Sequence, residues 1–376
     1  MSKIRFTEAF LAGNELDFLA EVLASKNLSG NGPFGKKVQR LLADHTHAPH
    51  VLLTHSCTGA LELAAMLHDL GPGDEVLMPS FTFVSTATAF LRTGAKPVFC
   101  EVDPATMTLD PADVRQRLTA RTRAIVPVHY AGIGADMGAL TAIAAAAGVA
   151  LIEDAAQGLD AYRDGRHLGT FGSLGTLSFH ETKNIHCGLG GALIINDPKL
   201  FDRAETIWER GTDRSRMHRG LVAKYSWVDV GSSFCMTELQ AAFLWGQLQK
   251  LRDNTEKRQQ QWQCYWDHLS PLAARGAFTL PQIPPSCQTN SHAFFLLARS
   301  MAEADRLRLH LAASDIQAVI HFVPLHDSAM GEKLGYRPED LPITMDTAHR
   351  LLRLPLHDGL GAEDLARVCA AIAAFF

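Results

Sequence analysis

An α/β fold with a mainly parallel central sheet, followed by a small α+β C-terminal domain, is the architecture this sequence predicts. Three observations carry it. Between residues 51 and 197, short apolar runs alternate with longer helical patterns, the order that strand–helix–strand units require. Most of those runs are apolar almost throughout, as strands covered on both faces must be. Beyond about residue 269, prolines at 271, 281, 284 and 285 break the rhythm and a different pattern begins.

The apolar runs predict strands at 51–54, 75–79, 97–102, 124–129, 150–152, 176–179 and 192–195. Between them, 58–70, 85–91 and 137–147 read as helices bounded by glycine or proline, the last two rich in alanine. A long helical pattern runs from 237 to about 269. After it come a strand at 292–297, a helix at 303–312, a strand at 319–323 and a terminal helix at 363–375. These patterns divide the chain into a large domain, residues 1–250, and a small one, residues 251–376. No internal repeat is present.

Composition narrows the function classes. The 376 residues are 47% hydrophobic and 20% charged, enough apolar mass for a large core. A formal charge of −5 gives no basic field of the kind that nucleic-acid binding needs, so no nucleic acid is expected as a partner. The longest uncharged apolar stretch, 138–152, is shorter than the roughly 20 residues of a membrane helix, and no membrane association is expected. The N-terminal residues lack a continuous apolar segment, because Glu8, Asn14, Glu15 and Asp17 interrupt it. Seven scattered cysteines without a C-x-x-C pair suit a reducing, cytoplasmic setting.

In sheets of this class, ligands gather where strands end. One end delivers Asp154 and, three residues on, Gln157; taken alone, Glu153-Asp154 also reads as the acids of a helix first turn. A second ends in Ser178, with Lys183 five residues later before glycines at 188, 190 and 191. A lysine confined near a carboxylate can attack a carbonyl, although most lysines are merely solvated and such glycines are ordinary in turns. A third runs into Ser56-Cys57-Thr58-Gly59 and a helix, which offers N–H groups to a phosphate or simply a Ser/Thr cap. Neither G-x-x-x-x-G-K-[ST] nor G-x-G-x-x-G occurs there. A phosphate cradle, a carboxylate and an amine together are what a pyridoxal 5'-phosphate site needs.

Over essentially its whole length the chain resembles the DegT/StrS sugar-nucleotide aminotransferases, a group with the fold-type-I, aspartate-aminotransferase-like fold. The motifs that carry the likeness are GNGPF (30–34), LLTHSCTGALELA (52–64), GDEVLMPSFTFVSTA (73–87), VPVHYAG (126–132), IEDAAQG (152–158), SFHETKN (178–184), MTELQAA (236–242) and PLH (324–326). The resemblance implies that Lys183 holds the cofactor aldehyde and shuttles the proton. It places Asp154 beside the pyridine nitrogen, Gln157 near the phenolic oxygen and Phe83 against the ring face opposite the lysine. Cys57, Thr58 and Ser178 would bind the phosphate; ordinary core packing is the competing role for Phe83.

The likeness extends to substrate. His180 within SFH-x-x-KN resembles the branch that aminates C4 of the hexose. RGTDRS (210–215), KYSW (224–227), DVGSS (229–233) and RLLRLPL (350–356) strengthen that match and imply dTDP-4-keto-6-deoxyglucose as acceptor, with glutamate as donor and dTDP-4-amino-4,6-dideoxygalactose as product. The gluco epimer, or another C4-keto nucleotide sugar, is the alternative product or substrate. Arg214, Arg219 and Lys224 form a cationic cluster suited to a diphosphate or to a solvated surface. Tyr130, Tyr225 and His326 are candidates for the hexose pocket, His326 equally for a structural histidine. A homodimer or higher even oligomer with shared sites is implied.

Two positions depart from the resembling pattern. Ser232-Ser233 stand where many relatives carry an asparagine that reaches a neighbouring subunit's cofactor phosphate, the contact Ser233 would have to supply. Leu189 stands where GEGG is common, removing a glutamate. A dehydratase on the same scaffold would carry histidine in place of Lys183, and a cofactor-binding regulator or scaffold is the non-enzyme alternative.

Overall fold

A computed structural model describes residues 2–376. Strands β1 (His50–Thr54), β2 (Glu75–Pro79), β3 (Lys96–Cys100), β4 (Thr122–Ile125), β5 (Ala150–Asp154), β6 (Leu174–Ser178) and β7 (Gly191–Ile195) form one sheet in the order β1-β7-β6-β5-β4-β2-β3. The pairs from β6 through β3 are parallel. Strand β7 runs against both neighbours, matching Leu52 with Leu193 on one side and Leu177 with Ala192 on the other. All five residues of β2, β6 and β7 are buried, which explains their lack of alternation.

Helices cover both faces. On one side, α1 (Glu15–Ser25) and α2 (Pro33–Thr46) pack with helix Glu238–Leu248 in a cluster that includes Val38, Leu42, Leu53 and Leu244. On the other, α3 (Cys57–Leu67) and α4 (Val84–Leu91) contribute Leu61, Leu63 and Phe90 to a cluster with Met78 and Trp208. A further core, built from Tyr265, Leu269, Phe294, Leu307, Leu352 and Val368, surrounds the antiparallel pair β8 (Phe294–Leu297) and β9 (Leu351–Leu354). Ile4 belongs to that same core. Its N–H donates to the Asp315 carbonyl at 2.8 Å, so the first described residues run against the C-terminal region.

Two expected elements take a different form. The pattern from 237 to 269 is two helices, Glu238–Leu248 and Leu251–Ala274, and the second contains Pro271. Proline is tolerated there because it sits within the last turn, where only one main-chain bond is lost before the helix ends. The segment 319–323 is not a strand. Val319 makes a single bridge to Arg353, after which the chain leaves the sheet and delivers His321 and Phe322 to a cavity wall.

Two buried carboxylates fix the scaffold. Glu238 accepts the N–H groups of Gly32, Phe34 and Gly35, each at 2.9 Å, so it caps an α2 terminus whose own cap residue, Gly32, has no side chain to do so. Glu153 accepts from Gly169, Phe171 and Gly172 at 2.6 to 2.8 Å and from His129 Nε2 at 3.0 Å. His129 Nδ1 accepts from the Ala135 N–H, which fixes the tautomer with its proton on Nε2. Glu153→Ala orphans three buried N–H groups at once. The expected loss is about 3–5 kcal/mol of unfolding free energy, read as a lower guanidinium midpoint at unchanged slope.

Among the described residues no helix is long and apolar enough to cross a membrane, and no group of three or more His, Cys, Asp or Glu is placed to hold a metal.

Candidate active site

The C-terminal ends of β1, β2, β5 and β6 open onto one cavity of about 470 Å³. Each strand delivers its next residues to that edge because crossovers in a parallel sheet leave the ends of neighbouring strands side by side. Ser56, Cys57, Thr58, Phe83, Asp154, Gln157, Ser178 and Lys183 all line it. The cavity therefore brings together seven of the side chains singled out in the sequence: Cys57, Thr58, Phe83, Asp154, Gln157, Ser178 and Lys183.

Asp154 is the last residue of β5 and is 5% exposed. Its Oδ1 accepts the Ala156 N–H at 3.1 Å, and its Oδ2 accepts the Thr86 hydroxyl at 2.8 Å. Thr86 in turn meets the Thr82 hydroxyl at 2.7 Å, so a short chain of hydroxyls orients the carboxylate. The Gln157 carbonyl oxygen accepts from the Ala131 N–H at 2.6 Å, which leaves the amide NH₂ as its available donor.

Lys183 sits in the turn after β6, where its N–H donates to the His180 carbonyl. Burial pulls its amine down to about 8, against the opposing pull of Cys57 and Asp154. Neutral amine is the nucleophilic form, so it becomes the major species above about pH 8 rather than above about 10.5. Cofactor capture by the cofactor-free protein is accordingly expected to accelerate about tenfold per pH unit below that point and to level off above it. Stopped-flow absorbance across about pH 6 to 9.5 checks this, and an inflection near 10 would contradict it.

Ser56 caps α3 by accepting the Gly59 N–H at 3.0 Å. Gly191, at the start of β7, lies so close that a Cβ there would fall on the backbone of Ser56 and Cys57, which explains glycine at that position. The Thr58 hydroxyl pairs with Ser85 at 2.7 Å. The Cys57 thiol is pushed up to about 12 by burial and remains protonated, donating to Thr176 at 3.6 Å. The helix N-terminus with the Thr58, Ser85 and Ser178 hydroxyls suits one phosphate group. A buried carboxylate and a low-pKa amine complete the donor set for pyridoxal phosphate, so these residues fit that cofactor.

Phe83 is 58% exposed on the cavity wall and 6.3 Å from Phe322 in a tilted pair, which excludes core packing as its role. His180 also lines the cavity, its Nδ1 at 3.0 Å from the Thr182 hydroxyl.

The remaining candidates lie outside it. His326 is 1% exposed, held by the Ser80 hydroxyl at 2.6 Å and the Pro338 carbonyl at 3.3 Å, so it serves packing rather than the hexose pocket. Tyr130 is buried among Phe81, Phe295 and Phe322, with its hydroxyl 3.5 Å from His321. Arg219 is paired with Asp202 at 3.0 Å and with Glu205, which neutralises it on the surface. Arg214 contacts His218, Ser233 accepts from Arg210 at 3.1 Å, and Lys224 and Tyr225 stand on an exposed loop. Among the described residues these cations form no joint anion site, since Arg219 turns to Asp202, Glu205 and the Phe201 ring while Arg214 turns to His218.

Several cavity residues were not foreseen: Ser85, Thr86, Arg258, His292, His321, Phe322 and Arg353. Ser85 and Thr86 lie only two and three residues beyond Phe83, within a motif already marked. Arg353 lies in the marked RLLRLPL stretch, which does not by itself single it out, and the others come from segments distant in sequence that the fold brings back, for which spacing carries no signal.

The family model described as the DegT/DnrJ/EryC1/StrS aminotransferase family matches residues 11–373. The GDP-perosamine synthase of Caulobacter vibrioides is 31% identical over 367 residues, 96% of this chain and 95% of that one. The dTDP-4-dehydro-2,3,6-trideoxy-D-glucose 4-aminotransferase of Saccharopolyspora spinosa is 31% identical over 97% of this chain and 94% of its own length. Among solved structures, the aminotransferase TlmJ from Streptoalloteichus hindustanus superposes with a TM-score of 0.90 at 30% identity, covering 99% of this chain and 98% of that one.

Proposed function

The chain belongs to the DegT/DnrJ/EryC1/StrS aminotransferase family, and we propose that within it this protein transfers the amino group of L-glutamate to C4 of dTDP-4-keto-6-deoxyglucose, giving dTDP-4-amino-4,6-dideoxygalactose. It is a pyridoxal-phosphate-dependent sugar aminotransferase acting on a keto nucleotide sugar. The observation that carries the reaction class is the meeting of Lys183, Asp154 and the α3 N-terminus in one cavity. For C4, the support is His180 on the cavity wall together with a relative named for 4-amination of a dTDP sugar. The relative named for GDP-perosamine keeps a GDP sugar as the second reading of the nucleotide.

Pyridoxal phosphate, when bound, supplies the aldehyde that takes up the amino group and a ring that withdraws electrons from the carbon being deprotonated. Asp154, oriented by the Thr86 hydroxyl and the Ala156 N–H, would pair its carboxylate with the ring nitrogen. The α3 terminus and the Thr58 and Ser178 hydroxyls would hold the phosphate. Lys183 Nζ, with its lowered proton affinity, takes the proton from Cα of glutamate in one half of the cycle. In the other half it delivers a proton to C4 of the sugar. Phe83 stands on one wall of the cavity, where its ring face would be offered to the cofactor ring.

Purified enzyme that is yellow, bleaches with glutamate and recovers its colour with the keto sugar has the proposed activity. Product NMR then reads the configuration: a small H3–H4 coupling means the galacto product, a large one the gluco epimer. A product aminated elsewhere on the ring sinks the C4 assignment.

Leu221, Tyr225, Trp227, Val228 and Val230 are all between 48% and 78% exposed on the loop that carries Lys224. An apolar surface of this kind marks an interface, and we assign it to a homodimer in which Arg214, Lys224 and Ser233 approach the partner's site. Trp227→Asp is expected to shift the sedimentation coefficient toward monomer by weakening association at least about tenfold. An unchanged dimer would refute this placement.

A further inference from the structure

Arg353 stands in β9 within the RLLRLPL segment, is 8% exposed, and lines the cavity beside Lys183, His321 and Phe322. Its guanidinium lies over the Phe6 ring at 5.0 Å, and one terminal nitrogen is 3.1 and 3.3 Å from the two ring nitrogens of His321. Its Nε has no hydrogen-bond partner, and among the described residues no carboxylate pairs with it. Arg258, the other buried guanidinium on this cavity, is held by main-chain carbonyls: Nε donates to the Ser291 carbonyl, and one terminal nitrogen donates to the His292 and Leu356 carbonyls, whereas among the described residues no carbonyl accepts from Arg353.

A buried cation without a counter-ion is costly, and the cost is removed only by a ligand that brings a negative charge. The cofactor phosphate already has the α3 terminus and three hydroxyls. The hexose itself carries no charge, and the diphosphate of a nucleotide sugar hangs from C1, across the ring from the C4 that must reach Lys183. A carboxylate matches a planar guanidinium fork with two parallel N–H···O bonds. His321 does not compete for that charge, because burial and the neighbouring cation push it down to about 2 and keep it neutral.

We infer that Arg353 receives a carboxylate of the amino-acid donor and so determines donor specificity at this site. The inference deepens the glutamate reading above and rests on it for the identity of the donor. The negative charge of the donor meets the buried cation while its amine faces Lys183. The acceptor sugar, which lacks a carboxylate, gains nothing from the same group, so the two half-reactions depend on Arg353 unequally.

The test measures the halves separately in the holoenzyme by absorbance. In Arg353→Met, the glutamate concentration for half-maximal bleaching is expected to rise about 10–100-fold, whereas recovery with the keto sugar changes less than about threefold. Arg353→Lys is expected to restore part of the loss, since it returns the charge without the fork. Binding of glutarate, an unreactive dicarboxylate, is followed in parallel by calorimetry and should weaken at least about tenfold in Arg353→Met. With L-2-aminobutyrate as donor, an equal loss assigns Arg353 to the α-carboxylate, and no loss assigns it to the γ-carboxylate. Either result supports the inference.

Equal loss in both half-reactions, or unchanged glutamate and glutarate affinity in a variant with wild-type melting temperature and cofactor spectrum, overturns it. Should Arg353→Met fail to fold, the Lys variant carries the same comparison. Wild-type enzyme that glutamate does not bleach refutes the donor reading instead; glutarate affinity unaffected by either variant would then also refute the carboxylate site.

Discussion

Lys183→Ala is expected to lower turnover with glutamate and keto sugar by about 10⁴-fold or more. Two losses coincide at this position. The side chain is the only amine among the cavity residues, so nothing else there can capture the cofactor aldehyde. The same nitrogen, with its proton affinity pulled down to about 8, is also the group that moves protons at carbon, a contribution of about 10²–10⁴ by itself. Steady-state assay and borohydride trapping of the cofactor on the wild type but not the variant check both parts. Folding should be unaffected, because Lys183 makes no side-chain hydrogen bond and removing a partly desolvated amine relieves rather than creates an unpaired group. Retained turnover would remove Lys183 from the mechanism altogether.

Asp154→Asn is expected to reduce kcat by about 10²–10³-fold, the range found when one preorganised electrostatic partner of a developing charge is removed. The substitution keeps the shape of the side chain and can still accept from Thr86, so the melting temperature should stay within about 5 °C of wild type. The informative comparison is Thr86→Val. It leaves the negative charge but removes the hydroxyl that orients it, and a loss of about tenfold is expected. If Thr86→Val cost as much as Asp154→Asn, orientation rather than charge would be the decisive property. If Asp154→Asn were silent, the carboxylate would belong to the scaffold, as its neighbour Glu153 does.

Much of this was legible along the chain wherever a signal is local. The strand at 75–79 and the helix at 137–147 have the observed limits because each is bounded by a turn or cap residue next to it. Lys183, Asp154 and the Ser56–Thr58 turn were legible because each follows directly on an apolar run, and strand ends are where a parallel sheet presents its ligands. Arg353 and His321 were not. They are 170 and 138 residues beyond Lys183 in sequence and meet it only because β9 and the segment after Val319 fold back over the cavity. His326 stood open between the hexose pocket and a structural role because sequence does not say which way a histidine faces, and here it turns toward Ser80. Arg219 stood open between a diphosphate and the surface because its acidic partners, Asp202 and Glu205, lie on the helix Phe201–Trp208, out of sight of the cationic motif.

The contact of Ile4 with Asp315 and Gln317 sets an order of events during synthesis. Phe6 and Thr7 line the cavity, and the residues that tether them lie more than 300 positions downstream. On a ribosome adding about 5–20 residues per second, the first of these residues therefore waits tens of seconds for its anchor. The large sheet can assemble in that interval with its ligand edge uncovered. The opening strip of the chain is therefore hung late, together with the β9 stretch that carries Arg353, so two ends of the sequence close a wall whose middle is already standing.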